Sequence, residues 1–218
     1  MNDRDISRVV QILSNHLKAW ELPIVTDLAE KKRGPYMILV STLLSLRTKD
    51  EVTAEASARL FALASTPDAM IRIPEKEIAR VIYPVGFYKT KAKTILQVSR
   101  DIIDRFAGRV PDSIDALLTL KGVGRKTANL VVALGYGKDG ICVDTHVHRI
   151  SNRLGYVKTK NPQATEFALR DKLPKKYWQV YNTLMVAFGR NICRPLSPLC
   201  SVCPVFSFCD RAGVTRSR

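Results

Sequence analysis

The sequence predicts an all-α fold, and three observations predict it. Apolar residues recur at helical spacing along nearly every informative stretch, dense turn chemistry separates those stretches, and the composition supplies an ordinary core. With 46% hydrophobic residues and only 11 Gly and 11 Pro in 218 residues, collagen-like and disordered chains are excluded.

The first stripe is Ile6, Val9, Val10, Leu13 and Leu17, and another is Ile95, Val98, Ile102 and Phe106. Breaks fall at Arg33-Gly34-Pro35, Thr66-Pro67-Asp68, Ile73-Pro74, 108–111, 135–140, Asn161-Pro162 and Leu173-Pro174. They delimit nine or ten short helices. No low-complexity linker interrupts the chain, so a division into domains must be one of packing. We expect residues 27–140 in one lobe, and residues 1–26 with 141–218 in the other. Pro84 to Ala92 and Leu120 to Ala128 share a Gly-containing turn followed by a basic helix start, a weak internal echo.

The 35 Lys+Arg outnumber the 20 Asp+Glu, giving a net charge of +15 and a pI near 9.8, which points to a polyanionic partner. The apolar stretch from Tyr36 to Leu46 is interrupted by Ser41, Thr42 and Ser45, and falls short of the ~20 residues of a membrane span. No membrane partner is expected. The first residues carry acids and lack a secretory apolar core, so an intracellular protein is expected, cytoplasmic or nucleoid-bound if prokaryotic.

In Leu120 to Asn129, Gly122 and Gly124 flank Val123 between two apolar stretches. Glycines allow a tight turn, and a helix beginning near Gly124 brings amide donors and its positive dipole end to one spot suited to a phosphate. A plain helix–helix turn is the other reading. Lys121, Arg125 and Lys126 crowd that dipole end, where cations are disfavoured unless an anion is near. Lys126 is then either a solvated phosphate contact or an amine made more nucleophilic by its cationic surroundings.

Asp144 precedes a helical stretch as its expected N-cap, where amides and dipole favour an ionised carboxylate. Capping alone explains it; a fixed negative charge also suits a developing cation. His146 and His148 are too close in sequence to share a helix face, and Cys142 reads as a core residue. Cys193, Cys200, Cys203 and Cys209 crowd one segment, which in a reducing compartment favours a metal centre, iron–sulfur or zinc, over disulfides.

Together these motifs resemble the endonuclease III family of helix-hairpin-helix DNA glycosylases: Leu120 to Ala128 its hairpin, Val143-Asp144-Thr145-His146 its catalytic aspartate motif, and the cysteine spacing its [4Fe–4S] loop. The resemblance runs from the Leu43-Leu44-Ser45 helix to Cys209. It implies a DNA-binding cleft between two helical lobes: a six-helix barrel, 27–140, with the hairpin at about 120–140, and a lobe of 1–26 plus 141–218 with the cluster loop 193–209. It further implies a monomer acting on double-stranded DNA that holds a damaged base or an abasic site, with the target nucleotide flipped out. Lys126 would attack the sugar and form a Schiff base, Asp144 would assist, and the strand would be cut 3′ to the abasic site by β-elimination. Relatives that remove bases without cutting lack this lysine.

Gly122, Val123, Gly124, Arg125, Arg47, Phe87, His146 and Arg194 become candidate DNA contacts by the same resemblance. Family members usually carry Gln where Arg47 stands, to fill the gap left by the flipped nucleotide. Phe87 matches an apolar wedge, against the simpler reading of core packing. Arg194 is the one basic residue between Cys193 and Cys200, a stretch commonly basic in the family. No carboxylate lies from Tyr36 to Lys49, which counts against the adenine-specific mismatch branch. The expected activity is excision of oxidised pyrimidines; the rivals are a glycosylase directed at T·G or U·G mismatches and a non-catalytic DNA-binding protein.

Overall fold

The structure is a computed structural model and describes residues 1, 3–17, 19–20 and 34–218. Every regular element among them is helical. The chain divides into two compact units, Ile24–Lys138 and Met1–Pro23 with Asp139–Arg218. The lobe boundary expected at 26 and 27 lies outside the described residues.

The unit of 24–138 is built around α2 (Pro35–Ser45), in which Tyr36 and every residue from Ile38 to Leu44 are buried. A helix apolar on all sides belongs inside a core. Around it lie α3 (Asp50–Leu63), α4 (Pro67–Met70), α5 (Glu75–Ile82), α6 (Tyr88–Phe106), α7 (Ile114–Leu118) and α8 (Arg125–Leu130). Helix α6 buries Ile95, Val98 and Ile102 of the expected stripe and leaves Phe106 half-buried. Its Ser99 hydroxyl lies 2.6 Å from the Tyr36 hydroxyl. Helix α8 runs directly into a π-helical turn, Val131–Gly135, that the sequence did not reveal. At Gly135 a Cβ would come within 3.2 Å of Pro35, so the turn sits against the start of α2.

In the other unit, α1 (Asp3–Leu17) buries Ile6, Val9, Val10 and Leu13. They share a core with residues of α9 (Thr145–Arg153), α10 (Pro162–Lys172) and α11 (Trp178–Asn191). Helix α11 is the central one, with Trp178 and the whole run from Tyr181 to Gly189 buried. Breaks anticipated at Thr66, Asn161 and Pro174 coincide with helix starts: Thr66 and Asn161 cap through their side chains, at 3.2 Å to the Ala69 amide and 2.8 Å to the Ala164 amide. The eleven α-helices among the described residues exceed the nine or ten expected because α4 and α7 span only four and five residues. Such single turns are too short for a periodic signal.

Gly189, within α11, carries a constraint that sequence periodicity hides. A Cβ there would lie 2.4 Å from His146 Nδ1 and 2.9 Å from Arg149 Nη2, so glycine lets α9 approach this closely. In an exposed helix, Gly→Ala stabilises by about 0.8–1 kcal/mol. Here Gly189→Ala should instead destabilise by about 1–3 kcal/mol through overpacking, read as a lower urea midpoint at unchanged m-value.

Candidate functional site

In the unit of 24–138 the expected glycine turn is a helical hairpin. Ser113 caps α7, and the chain leaving it turns through Leu120–Gly124 with the Val123 amide donating to the Leu120 carbonyl at 3.1 Å. Gly122 takes φ +88°, and a Cβ on it would meet Thr94 Cγ2 of α6 at 2.7 Å. Only glycine suits that position. Val123 is buried and anchors the turn. Gly124 is the N-cap of α8 with open space around it and no side-chain cap, so its lack of a side chain leaves the helix start accessible. Lys126 is the second residue of that helix, half-buried like Arg125, above buried Thr127 to Leu130; Lys121 is exposed. The three cations therefore surround a helix N-terminus, as the sequence implied.

A second feature of this unit joins Arg47 and Phe87. Neither belongs to the core: Arg47 is exposed, and Phe87 is 64% exposed. The core-packing reading of Phe87 is thus excluded. Both take left-handed backbone angles, φ +54° and +57°, uncommon for residues with side chains. Phe87 is the N-cap of α6, and the Arg47 guanidinium stands 5.7 Å from the centre of its ring, a cation–π distance.

Below them lies Lys91, a residue no sequence signal singled out. Its buried ammonium donates to the carbonyls of Leu44 at 2.7 Å and Leu46 at 2.5 Å and to the Thr48 hydroxyl at 3.0 Å. Burial pushes this amine down to about 8.

In the other unit Asp144 is the N-cap of α9. Its Oδ1 accepts from the amides of His146 at 2.8 Å and Val147 at 2.9 Å. The cap fixes the carboxylate's direction at the helix start. His146 Nδ1 lies 3.1 Å from Arg149 Nη2, whereas His148 Nδ1 faces the Thr165 hydroxyl at 2.7 Å, so the two imidazoles do diverge. Cys142 is buried, and its carbonyl accepts from Asn182 at 3.1 Å.

Arg149 continues the chain of contacts by donating to the Cys193 carbonyl at 3.0 Å. Burial lowers its pKa. Arg153, one turn later, donates to the carbonyls of Arg194 at 2.7 Å and Pro195 at 2.5 Å and approaches Cys193 Sγ at 3.5 Å. The α9 helix thus holds the start of the cysteine loop through backbone oxygens. The Arg194 side chain is exposed, as is Leu196 beside it.

Cys193, Cys200, Cys203 and Cys209 line one pocket with Ile150, Leu154, Phe188 and Val205. The Arg211 amide donates to Cys209 Sγ at 3.4 Å. Burial pushes the Cys203 thiol up to about 11, and the charges of Cys209, Cys193 and Cys200 add to the shift. Burial raises the Cys209 thiol as well, with a further contribution from Cys193 and Cys200, and four thiols in one apolar pocket form a donor set whose charge a metal centre would offset. Among the described residues, no three His, Cys, Asp or Glu side chains converge as one metal ion requires.

Lys126, Arg47 and Phe87 thus belong to the unit of 24–138, and Asp144, His146, Arg194 and the four cysteines to the other. Sequence reasoning missed Lys91, Arg149, Arg153 and Gly189. Each acts on a backbone or a neighbouring helix distant in sequence, and Lys91 lies in the Pro84 to Ala92 echo without any local mark that sets it apart.

Residues 40–175 match the model of the HhH-GPD superfamily, base excision DNA repair proteins. Endonuclease III of Thermotoga maritima is 47% identical over 180 residues, 83% of this chain and 84% of that one. Endonuclease III of Bacillus subtilis is 38% identical over 85% of this chain and 84% of its own. Among solved structures, a trapped endonuclease III–DNA covalent intermediate in an estranged-adenine complex superposes with a TM-score of 0.78 at 37% identity, covering 82% of this chain and 84% of that one. A non-covalent endonuclease III–DNA complex superposes at 0.86 and 32% identity, covering 97% and 96%. The hairpin, the capped aspartate and the cysteine loop are thus features of a chain that belongs to the HhH-GPD superfamily of base excision DNA repair proteins and, within it, to the endonuclease III family.

Proposed function

We propose that this chain is a bifunctional DNA glycosylase and abasic-site lyase that excises oxidised pyrimidines from duplex DNA. The observation that carries this reading is Lys126 on the first turn after the glycine hairpin, in a chain of the endonuclease III family. Gly122, Val123, Gly124 and Arg125 would grip a phosphate at the accessible helix start, placing the Lys126 amine beside the flipped nucleotide. Lys126 Nζ, as the free amine, attacks C1′ and the bond from C1′ to the base breaks; the base leaves with the electron pair and takes up a proton. Ring opening gives a Schiff base. Loss of a C2′ proton then expels the 3′ phosphate by β-elimination, and water releases the lysine. Asp144 accepts the amine's proton and stabilises positive charge at the sugar; its cap hydrogen bonds hold it in place for that role.

His146 and the exposed Arg194 supply further DNA contacts in this reading, which places a monomer on chromosomal DNA inside the cell. No helix among the described residues is long and apolar enough to cross a membrane.

Cys193, Cys200, Cys203 and Cys209 would hold a [4Fe–4S] cluster. Their shared apolar pocket and the N–H donors at Cys193 and Cys209 Sγ support a cluster, and the similarity to endonuclease III favours iron–sulfur over zinc. Bound, the cluster would supply four Fe–S bonds that staple the loop 193–209, leaving the sugar chemistry to Lys126 and Asp144.

Borohydride added to protein and abasic duplex should trap a covalent adduct that is absent from Lys126→Ala; no adduct from the unaltered protein would overturn the lyase assignment. Excision of thymine glycol should outpace excision of thymine from a T·G mismatch in single turnovers. Asp144→Asn should keep the helix cap and stability yet lose most activity, whereas Asp144→Ala should also cost about 1 kcal/mol of stability. Anaerobically purified protein should contain four irons and labile sulfide per chain, and stoichiometric zinc in their place would refute the cluster.

A further inference from the structure

Arg47 and Phe87 are separated by forty residues of sequence, and both are held in backbone conformations that side chains ordinarily avoid. Strain of that kind persists only where surrounding contacts over-determine it. The contacts are visible. The Thr48 hydroxyl receives Lys91 Nζ at 3.0 Å and the Gly86 amide at 3.2 Å, and lies 3.3 Å from the Leu46 carbonyl, to which it donates. Gly86 lies so close that a Cβ would come 2.6 Å from the Arg47 carbonyl oxygen. The segments 46–48 and 86–87 are therefore one locked unit. At its base the Lys91 ammonium spends its three donors on Leu44, Leu46 and Thr48, filling the carbonyl acceptors left where α2 ends. A lysine buried for this purpose is unusual, because its charge is ordinarily left in water.

We propose that Lys91 is a positioning residue: by clamping the turn Leu44–Thr48 against Gly86, it presets Arg47 and Phe87 as a single wedge that opens the base stack of duplex DNA. This rests on the glycosylase reading above. Lys91 touches no DNA itself. Its work is to remove the conformational cost of ordering two side chains at the moment of binding, so that Phe87 enters between bases with Arg47 already beside it. The demand exists only where paired, stacked bases must be separated.

The test compares single-turnover strand cleavage on two DNAs: an abasic site in a fully paired duplex, and the same site inside an unpaired bubble. Lys91→Met, which keeps an unbranched chain one atom shorter and without donors, should lose about tenfold or more on the paired duplex and stay within about threefold of the unaltered protein in the bubble. Equal losses on both DNAs would show a general structural role, and unchanged cleavage would show no role; either result overturns the proposal. Should Lys91→Met fail to fold, Thr48→Val decides by the same ratio, because it removes the hydroxyl that joins Lys91 to the Gly86 amide at nearly constant volume. If the unaltered protein cleaves neither DNA, the lyase reading itself fails; if it cleaves both and the variants match it, only the role of Lys91 does.

Discussion

Backbone hydrogen bonding runs out at each end of a helix, leaving amides at the start and carbonyls at the finish. In this protein Asp144, Lys91 and Lys126 sit at or against such ends. Asp144 answers the amides that open α9, and Lys91 answers the carbonyls that close α2. Arg149 and Arg153 answer the carbonyls of the loop that follows α11. At the start of α8 the chain supplies Gly124 and no side-chain cap. In the proposed function that end takes a phosphate. A hydrogen-bonding deficit that is uniform across helical proteins is thus met by side chains at the start of α9 and the end of α2, and left without a side-chain cap at the start of α8.

The same deficit explains why charged groups can be buried here. A lysine or arginine out of water is costly unless hydrogen-bonded, and Lys91 and Arg149 are both shifted downward by burial. Carbonyl oxygens repay part of that cost while drawing together segments far apart in sequence. Arg149 joins the first turns of α9 to Cys193, so Asp144 and the cysteine loop share one scaffold within their unit. Gly189 is the permissive partner of that contact, since a Cβ there would crowd the His146 and Arg149 side chains.

The sequence disclosed those features whose cause is local. Helical periodicity located α1 and α6, two glycines located the hairpin, and an aspartate between an apolar stretch and a helical one located the α9 cap. It could not tell Gly122 from Gly124, because one is demanded by a positive φ and by Thr94 while the other is defined by empty space. Nor could it expose Lys91: a single lysine among 35 basic residues, its meaning depends on carbonyls more than forty positions earlier. The left-handed angles at Arg47 and Phe87 and the π turn after α8 are likewise products of tertiary packing, without a composition of their own. Phe87 was ambiguous for a related reason, since an aromatic beside a glycine reads the same whether it faces the core or the solvent.

The discontinuous unit also sets an order of events during synthesis. Ile6, Val9, Val10 and Leu13 leave the ribosome first, yet the residues they pack against begin at Ile141. At roughly 5–20 residues per second, that apolar stripe waits for on the order of ten seconds while the intervening unit is made. The nascent chain can complete the hairpin and Lys126 while the Asp144 cap and all four cysteines are still unmade. Lys126 and Asp144 are therefore assembled in succession, and the apolar stripe of α1 is without these core partners in the interval.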